Sequence, residues 1–175
     1  MRAALLLAAA AAAMMLSTQA FAQSSPELAP TLRVEDVAAV LREAGFRAEL
    51  GPENESPRVY TGMGGYNVGV YLYNCDAERN CKNLQFSLGI RGMQNYPLAN
   101  INKWNIEKRF ARLAVDDQGS LWLRGDVYFY GGITKQMVND TAQLFDSLVG
   151  DFRSGLRSWS ARNEASTKSG SSASP

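Results

Sequence analysis

Three aspartates, Asp116, Asp117 and Asp126, are the side chains whose spacing best suits acid–base chemistry. A hairpin would bring the strands that carry them together, and two carboxylates about 5–10 Å apart are what glycoside hydrolysis requires. The run Asp-Asp-Gln-Gly at 116–119 is also typical of an ordinary hairpin turn, because Asp and Gly tolerate its backbone angles. The turn interpretation is favoured. A hydrolase would need two of these carboxylates to converge in a cleft, with one pKa raised.

The sequence has 175 residues and no histidine. Catalytic Ser-His-Asp and Cys-His arrangements, imidazole metal ligands and an imidazole general base are therefore excluded. The two cysteines, Cys75 and Cys81, enclose a mostly polar loop and lack the C-x-x-C spacing of a redox pair. No other thiol or imidazole could complete a metal site with them. We predict a disulfide that closes a hairpin loop, and we expect no metal and no cofactor.

The segment at 100–105, Asn-Ile-Asn-Lys-Trp-Asn, is the most distinctive in the chain. Its residues Asn102, Trp104 and Asn105, with Arg109 about one turn further on, could form a polar patch that recognises a partner. The structural alternative places Trp104 in the core and uses the asparagine side chains to cap the helix or to bond sheet backbone. The structural alternative is favoured, and partner binding is retained as a hypothesis.

The first 22 residues have the pattern of a secretory signal peptide. Arg2 supplies a positive charge, residues 5–16 are continuously apolar, and Ala-Phe-Ala at 20–22 matches a cleavage site. The apolar run is too short to cross a bilayer, which takes about 20 residues. We therefore expect cleavage after Ala22, a periplasmic location, and no stable membrane anchor in the mature form. Residues 23–30, with two prolines and two serines, predict a short leader.

The charge of the mature chain is balanced. Loss of Arg2 would leave 17 of the 18 basic residues, equal to the 17 acidic ones. Because both signs are mixed along the sequence, the chain lacks the basic stripe that a phosphate backbone demands. Nucleic acid is therefore not expected as a partner.

Hydrophobic periodicity predicts the element order α-β-β-β-β-α-β-β-α in one α+β domain over 31–160, with helices packed on an antiparallel sheet. Predicted helices occupy 34–44, 97–113 and 134–159, and predicted strands occupy 46–50, 58–61, 66–73, 84–90, 111–115 and 121–130. The expected buried stripe of the second helix contains Leu98, Ile101, either Trp104 or Asn105, and Phe110. That of the last helix contains Met137, Thr141, Leu144, Leu148, Phe152, Leu156 and Trp159. The serine-rich residues 161–175 predict a disordered tail.

The chain resembles the YbjN family over residues 31–152. The resemblance rests on scattered positions, of which the run Ile-Asn-Lys-Trp-Asn at 101–105 is the most specific. The others are the segments 41–46, 83–86 and 109–112, the turn at 116–119, Asp126, and the glycine pair at 131–132. The family is described as bacterial sensory-transduction regulators with a type III secretion chaperone-like fold, commonly dimeric, and the resemblance carries no catalytic residues.

These observations predict a non-enzymatic, exported regulatory or chaperone-like module that binds a protein or peptide, with a homodimer expected from the resemblance. The open sheet face or a sheet edge would supply the binding surface, since an edge can accept an extended peptide as an added strand. Two alternatives come from other classes. One is the carboxylate-based hydrolase, and the other is a small-ligand carrier with tyrosine and tryptophan lining an apolar cavity.

Overall fold

The computed structural model describes residues 27–91 and 96–171, and it describes 160–171 by their backbone alone. The predicted signal peptide at 1–22, the first four leader residues and the end of the predicted tail at 172–175 lie outside the described residues. In the part of the chain that is described, no helix combines the length and the apolar character needed to cross a membrane.

Within the described residues, three helices and six strands form an α+β fold in the predicted order. The helices are α1 (Val34–Glu43), α2 (Leu98–Glu107) and α3 (Lys135–Ser171), and the strands are β1 (Ala48–Leu50), β2 (Arg58–Met63), β3 (Tyr66–Tyr73), β4 (Asn83–Ile90), β5 (Arg112–Val115) and β6 (Leu121–Tyr128). The strands make one antiparallel sheet in the order β1-β2-β3-β4-β6-β5. The last strand, β6, therefore inserts between β4 and β5.

Successive side chains of each strand point to opposite faces of the sheet, so the two faces differ in composition. The inner face carries the large apolar side chains of the central strands, including Val59, Val70, Phe86 and Leu123, all of which are fully buried. Helix α3 packs on this face, and its Phe145 ring stacks on Phe86 with 5.2 Å between ring centroids. Helix α1 contacts β1, β2 and α3. The described helices thus leave the other face of the sheet uncovered.

The buried stripe of α3 differs from the predicted one. Val138, Ala142 and Phe145 are buried, whereas Met137 and Leu144 are 47% and 39% exposed. Two neighbouring apolar stripes run along this helix, and both have spacings of three and four residues. Hydrophobic periodicity alone therefore does not tell which of the two is buried. The prediction was wrong by one residue over the first two turns and correct for Leu148, Phe152, Leu156 and Trp159.

Helix α2 is shorter than predicted. It ends at Glu107, and Lys108 has extended backbone angles, so the chain can turn into β5. Ile101 and Trp104 are buried as expected, but Leu98 and Phe110 are 68% and 67% exposed. Phe110 has a φ of 69°, a left-handed conformation that is unusual for a bulky residue. The prediction of a single stripe through Phe110 was wrong, because the tertiary turn overrides the sequence period.

Helix α3 is longer than predicted. Its backbone continues to Ser171, so residues 161–171 are helical where the composition predicts a disordered tail. Adding a residue to an existing helix costs little because each addition gains one hydrogen bond, and no proline interrupts this segment.

The disulfide between Cys75 and Cys81 closes the loop that joins β3 to β4, as predicted. Cys81 is fully buried, and its backbone exchanges two hydrogen bonds with Leu32, of 2.9 and 2.8 Å. This loop therefore holds the segment that leads into α1 against the end of the sheet.

Candidate functional site

The predicted recognition residues divide into two groups. Trp104 is buried, and its indole Nε1–H donates to the Ala111 carbonyl at 3.3 Å while its ring meets Phe152 edge-on. Asn105 bonds the backbone of Leu113. Asn102 and Arg109 are exposed. Trp104 and Asn105 thus make contacts within the chain that dock α2 on β5, and they do not converge with Asn102 and Arg109 into one patch.

The Asp116 carboxylate organises the hairpin between β5 and β6. It accepts hydrogen bonds from the Trp122 indole at 2.8 Å and from the backbone N–H groups of Gln118 and Ser120 at 3.0 and 2.8 Å. The bond from Trp122, followed by that from Ser120, lowers the pKa of Asp116 below its ordinary value. This arrangement is that of a turn residue, because a general acid at neutral pH needs a raised pKa.

Asp126 lies on the outer sheet face, where it accepts hydrogen bonds from Gln85 at 2.5 Å and from Arg112. Burial by itself would raise the pKa of Asp126, but these two bonds outweigh it and the pKa is lowered. Val115, the residue before Asp116, pairs with Leu121, and Asp126 lies five residues beyond Leu121 along β6. At about 3.3 Å per residue the Cα atoms of Asp116 and Asp126 are roughly 16–20 Å apart. Both carboxyls also have lowered pKa values, so neither is the raised-pKa acid that the predicted hydrolase pair needs.

The outer sheet face is rich in aromatic residues and arginine. Five rings project from it: Tyr60, Tyr71, Tyr73, Trp122 and Tyr128. The Tyr71 and Trp122 rings lie across Gly69 and Gly89, where an added Cβ atom would be only 2.6 and 2.7 Å from a ring carbon. The Arg124 guanidinium lies 4.7 Å from the centroid of the Trp122 ring. These rings are thus largely engaged with neighbours on the same face.

Strand β6 extends beyond its neighbour β5. It pairs with β4 over its whole length, from Leu121 to Tyr128, but it pairs with β5 only as far as Arg124. Among the described residues, the remaining four positions of β6, 125–128, have no strand on the β5 side. This half-open edge is available for pairing with another extended segment.

The direction of the free backbone groups follows from Asn105. Its side chain takes both the N–H and the C=O of Leu113, so these groups face away from β6. The direction of the backbone N–H and C=O groups alternates along an antiparallel strand. Arg124 is opposite Arg112, so its backbone groups point toward β5. The backbone groups of Asp126 and Tyr128, two and four residues further on, point to the same side. Asp126 and Tyr128 therefore present their N–H and C=O groups to the open side.

An apolar groove of about 270 Å³ lies along this open edge, between β6 and α3. Its floor and walls are mainly apolar or aromatic, and the lining includes Phe86, Phe110, Val127, Tyr128, Leu144, Phe145 and Leu148. Phe110, Tyr128 and Leu144 are exposed at its rim.

A polar pocket of about 320 Å³ adjoins the groove and shares Phe110 and Asp126 with it. Three cations line this pocket: Lys108, Arg112 and Arg124. Lys108 pairs with Asp151 at 2.5 Å and Arg112 pairs with Asp126, whereas Arg124 has no carboxylate partner among the described residues. The Nε atom of Arg124 is buried and lacks a hydrogen-bond partner within that part of the chain. The charge of Arg124 contributes to the lowered pKa of both Asp116 and Asp126, so this guanidinium is partly compensated without a direct ion pair.

Sequence reasoning anticipated an open edge but did not locate this groove. Two signals in the sequence bear on it: the strand predicted before the 116–119 turn is much shorter than the one after it, and Gly125 interrupts the apolar alternation of β6. An added Cβ atom on Gly125 would be 2.8 Å from the Phe110 carbonyl, which requires a glycine there. No cluster of three potential metal ligands occurs within residues 27–91 and 96–171.

Comparisons with known proteins agree with this fold. The YbjN family model, described as "Putative bacterial sensory transduction regulator", matches residues 33–158. No curated protein matches the chain. The crystal structure of YbjN from E. coli, described as "a putative transcription regulator", is similar at 11% identity and a TM-score of 0.53, with 73% of this chain and 96% of that chain covered.

An uncharacterized protein from Methanothermobacter thermautotrophicus has 13% identity and a TM-score of 0.41, with 70% of this chain and 99% of that chain covered. At 11% identity, the E. coli structure shows a shared fold and nothing finer. The family assignment rests on the sequence model, which spans well over half of the residues. The chain belongs to the YbjN family.

Proposed function

We propose that this protein is a non-enzymatic regulatory or chaperone-like module that binds an extended segment of a partner protein along the open half of β6. The observation that carries the proposal is the register of the sheet, in which β6 outruns β5 by four residues beside an apolar groove. The family description as a regulator supports a binding role.

Strand addition suits this edge for two physical reasons. The backbone groups of Asp126 and Tyr128 offer two N–H donors and two C=O acceptors to an incoming strand, which gives affinity without sequence specificity. The groove beside them would bury apolar side chains of the same segment, at about 25 cal/mol per Å² of area removed from water. The opposite edge at β1 is only three residues long, so it offers a poorer template.

The proposal includes export. Residues 1–22 have the charge, apolar length and cleavage pattern of a signal peptide, and the Cys75–Cys81 disulfide suits an oxidising compartment. Cell fractionation with N-terminal sequencing tests it. A periplasmic protein that starts at Gln23 is the expected result, and a cytoplasmic protein that retains Met1 would overturn this part of the proposal.

Site-specific photo-crosslinking in living cells tests the binding role. A photoreactive benzoylphenylalanine at Leu144, on the groove rim, should give one recurrent protein adduct. The same residue at Leu50, a comparably exposed leucine on the opposite edge, should give none. Equal adducts at both positions would contradict binding at β6.

A backbone variant separates strand addition from simple groove contact. Proline at Tyr128 removes an N–H that β4 does not use, and proline is tolerated at such edge positions. We expect Tyr128→Pro to abolish the Leu144 adduct, whereas Tyr128→Ala, which removes the same ring but keeps the N–H, should retain it. Loss of the adduct in both variants would show that binding depends on the Tyr128 ring and not on backbone hydrogen bonding along the strand edge.

The small-ligand carrier is less well supported. The groove volume of about 270 Å³ is below the roughly 300–1,000 Å³ of typical ligand pockets. A second pocket of about 450 Å³ is lined by Trp104 and Trp159, but most of its other lining residues are polar or charged, unlike the apolar cavity expected of a carrier. A groove beside a free strand edge suits an extended peptide better than a compact ligand.

A further inference from the structure

We propose that the cleft between α2 and the middle of α3 binds a neutral saccharide. This cleft has a volume of about 450 Å³, within the roughly 300–1,000 Å³ of small-molecule sites. It shares no lining residue with the groove beside β6, so a ligand here would leave the strand edge free. The cleft is therefore a second binding site, separate from the proposed function at β6.

One face of each helix builds the cleft. The lining residues from α2 and its C-cap recur at spacings of three and four: Asn100, Lys103, Trp104, Glu107 and Lys108. Those from α3 recur in the same way: Asp151, Gly155, Ser158 and Trp159. Residues with these spacings lie on one side of a helix, so the two rows face each other. Phe152 meets both indoles edge-on, with 6.0 Å to the Trp104 centroid and 6.5 Å to that of Trp159, so the aromatic floor is held in place without a ligand.

The indole N–H of Trp159 lacks an acceptor. Trp159 is only 7% exposed, yet its Nε1–H donates to no group among the described residues. The other two indole N–H groups of the chain donate to Ala111 and to Asp116. A buried tryptophan N–H normally has an acceptor, because an unpaired one loses its hydration without compensation. Since Trp159 lines the cleft, an oxygen atom of a bound molecule would supply the acceptor.

Gly155 leaves room beside this N–H. A Cβ atom at position 155 would be 3.5 Å from Cζ2 and 4.0 Å from Nε1 of Trp159. These are ordinary contact distances, so packing does not require glycine here, and glycine is less favourable than alanine inside a helix. A methyl group at this position would cover the edge of the indole that carries the N–H. The missing side chain therefore provides the space that an acceptor oxygen needs.

The charged groups that line the cleft are already paired. Lys108 pairs with Asp151 at 2.5 Å, and Lys103 pairs with Glu107 at 3.7 Å. A charged ligand would have to break one of these pairs or bring an unmatched charge into the cleft, which is costly. The cleft therefore favours a molecule without net charge.

The mixed lining defines the chemistry of that neutral molecule. The two indoles offer apolar surface, whereas Asn100, Lys108 and Asp151 offer hydrogen-bond donors and acceptors around it. A purely apolar ligand would remove water from these polar groups without replacing their hydrogen bonds. A sugar ring matches both parts of the lining, because its C–H groups are apolar and its hydroxyl groups donate and accept.

Proton–nitrogen correlation NMR tests the inference through the indole N–H signals. The chain has three tryptophans, so three such signals are expected. The probes are two neutral trisaccharides, that of N-acetylglucosamine and maltotriose, which has no acetamido group. We expect at least one of them to shift the Trp159 signal saturably and to leave the signal of Trp122, on the outer sheet face, unchanged. Trp159→Phe assigns the signal by removing it.

Two glycine variants locate the binding. Gly155→Ala places a methyl group against the Trp159 indole, so we expect it to weaken binding about tenfold. Gly150→Ala is the matched control in the same helix, because a Cβ atom there has no neighbour within 4 Å, and it should leave binding unchanged. Both substitutions favour the helix, so unfolding would not explain a difference between them.

Three results would overturn the inference. An unshifted Trp159 signal with both probes would show that the cleft takes no neutral saccharide. Equal affinities of the wild type and Gly155→Ala would place the saccharide elsewhere on the protein. Equally tight binding of the deacetylated, positively charged glucosamine trisaccharide would refute selection for a neutral ligand. None of these results bears on strand binding at β6, which the Leu144 crosslink tests separately.

Discussion

The side chain of Asn105 forms a two-way clamp with the backbone of Leu113: its Nδ2 donates to the Leu113 carbonyl at 3.0 Å, and its Oδ1 accepts from the Leu113 N–H at 2.8 Å. These two bonds satisfy the outward-facing backbone groups of Leu113, in the edge strand β5, much as another strand would. Asn105 therefore occupies the Leu113 position of the β5 edge, whereas positions 125–128 of β6 have no strand on that side within the part of the chain that is described. Since exposed edges invite unwanted association, this contrast supports a binding role for the open half.

Replacing Asn105 with alanine should destabilise the fold. The change removes two hydrogen bonds and leaves a partly buried N–H and C=O without partners, so we expect a loss of about 1–3 kcal/mol in the free energy of unfolding. Urea denaturation measures this quantity. Asn102→Ala, on the exposed side of the same helix, is the matched control and should change it by less than about 0.5 kcal/mol. Equal effects would show that the clamp contributes nothing.

The Cys75–Cys81 disulfide should stabilise the domain only modestly. In the chain-entropy model, closing so short a loop contributes about 2 kcal/mol. A variant with both cysteines replaced by serine should therefore unfold at a lower urea concentration, yet remain folded because Cys81 also bonds Leu32 through its backbone. Reduction of the wild-type protein should lower the midpoint similarly. No change on reduction would contradict a structural bridge.

Adding a methyl group at Gly125 should be costly. The new Cβ atom would be 2.8 Å from the Phe110 carbonyl oxygen and 3.1 Å from the Phe145 ring, so the backbone or the ring must shift. We expect Gly125→Ala to destabilise by about 1–3 kcal/mol, as overpacking commonly does. Gly62→Ala is the control, because a Cβ atom there has no neighbour within 4 Å. Thermal unfolding of both variants would distinguish a packing effect from a general glycine effect.

Acid should weaken the β5–β6 hairpin through Asp116. The pKa of this carboxyl is lowered in the folded state, first by the Trp122 hydrogen bond, so the charged form stabilises the fold. That contribution is present above the unfolded pKa of about 3.9 and is lost as the pH falls through the lower folded value. In urea unfolding followed between pH 6 and pH 2, Asp116→Asn should show a smaller loss of stability than the wild type. An unchanged profile would exclude Asp116 as a contributor.

The sequence alone determined the element order, the all-antiparallel strands and the disulfide. Strong local patterns specify these features: Tyr66–Tyr73 alternates without interruption, and its predicted bounds match β3. The Asp116 turn is equally local, since every hydrogen bond of its carboxylate lies within six residues. Such signals need no knowledge of distant parts of the chain.

The tertiary structure decided which α3 stripe is buried, where α2 ends, and how far β6 outruns β5. Each depends on contacts between segments that are distant in sequence, such as Phe145 with Phe86 and Asn105 with Leu113. The candidate groove is of the same kind. The local Asp116 turn sets the register between β5 and β6, but the point at which β5 begins, Arg112 opposite Arg124, depends on how the chain leaves α2.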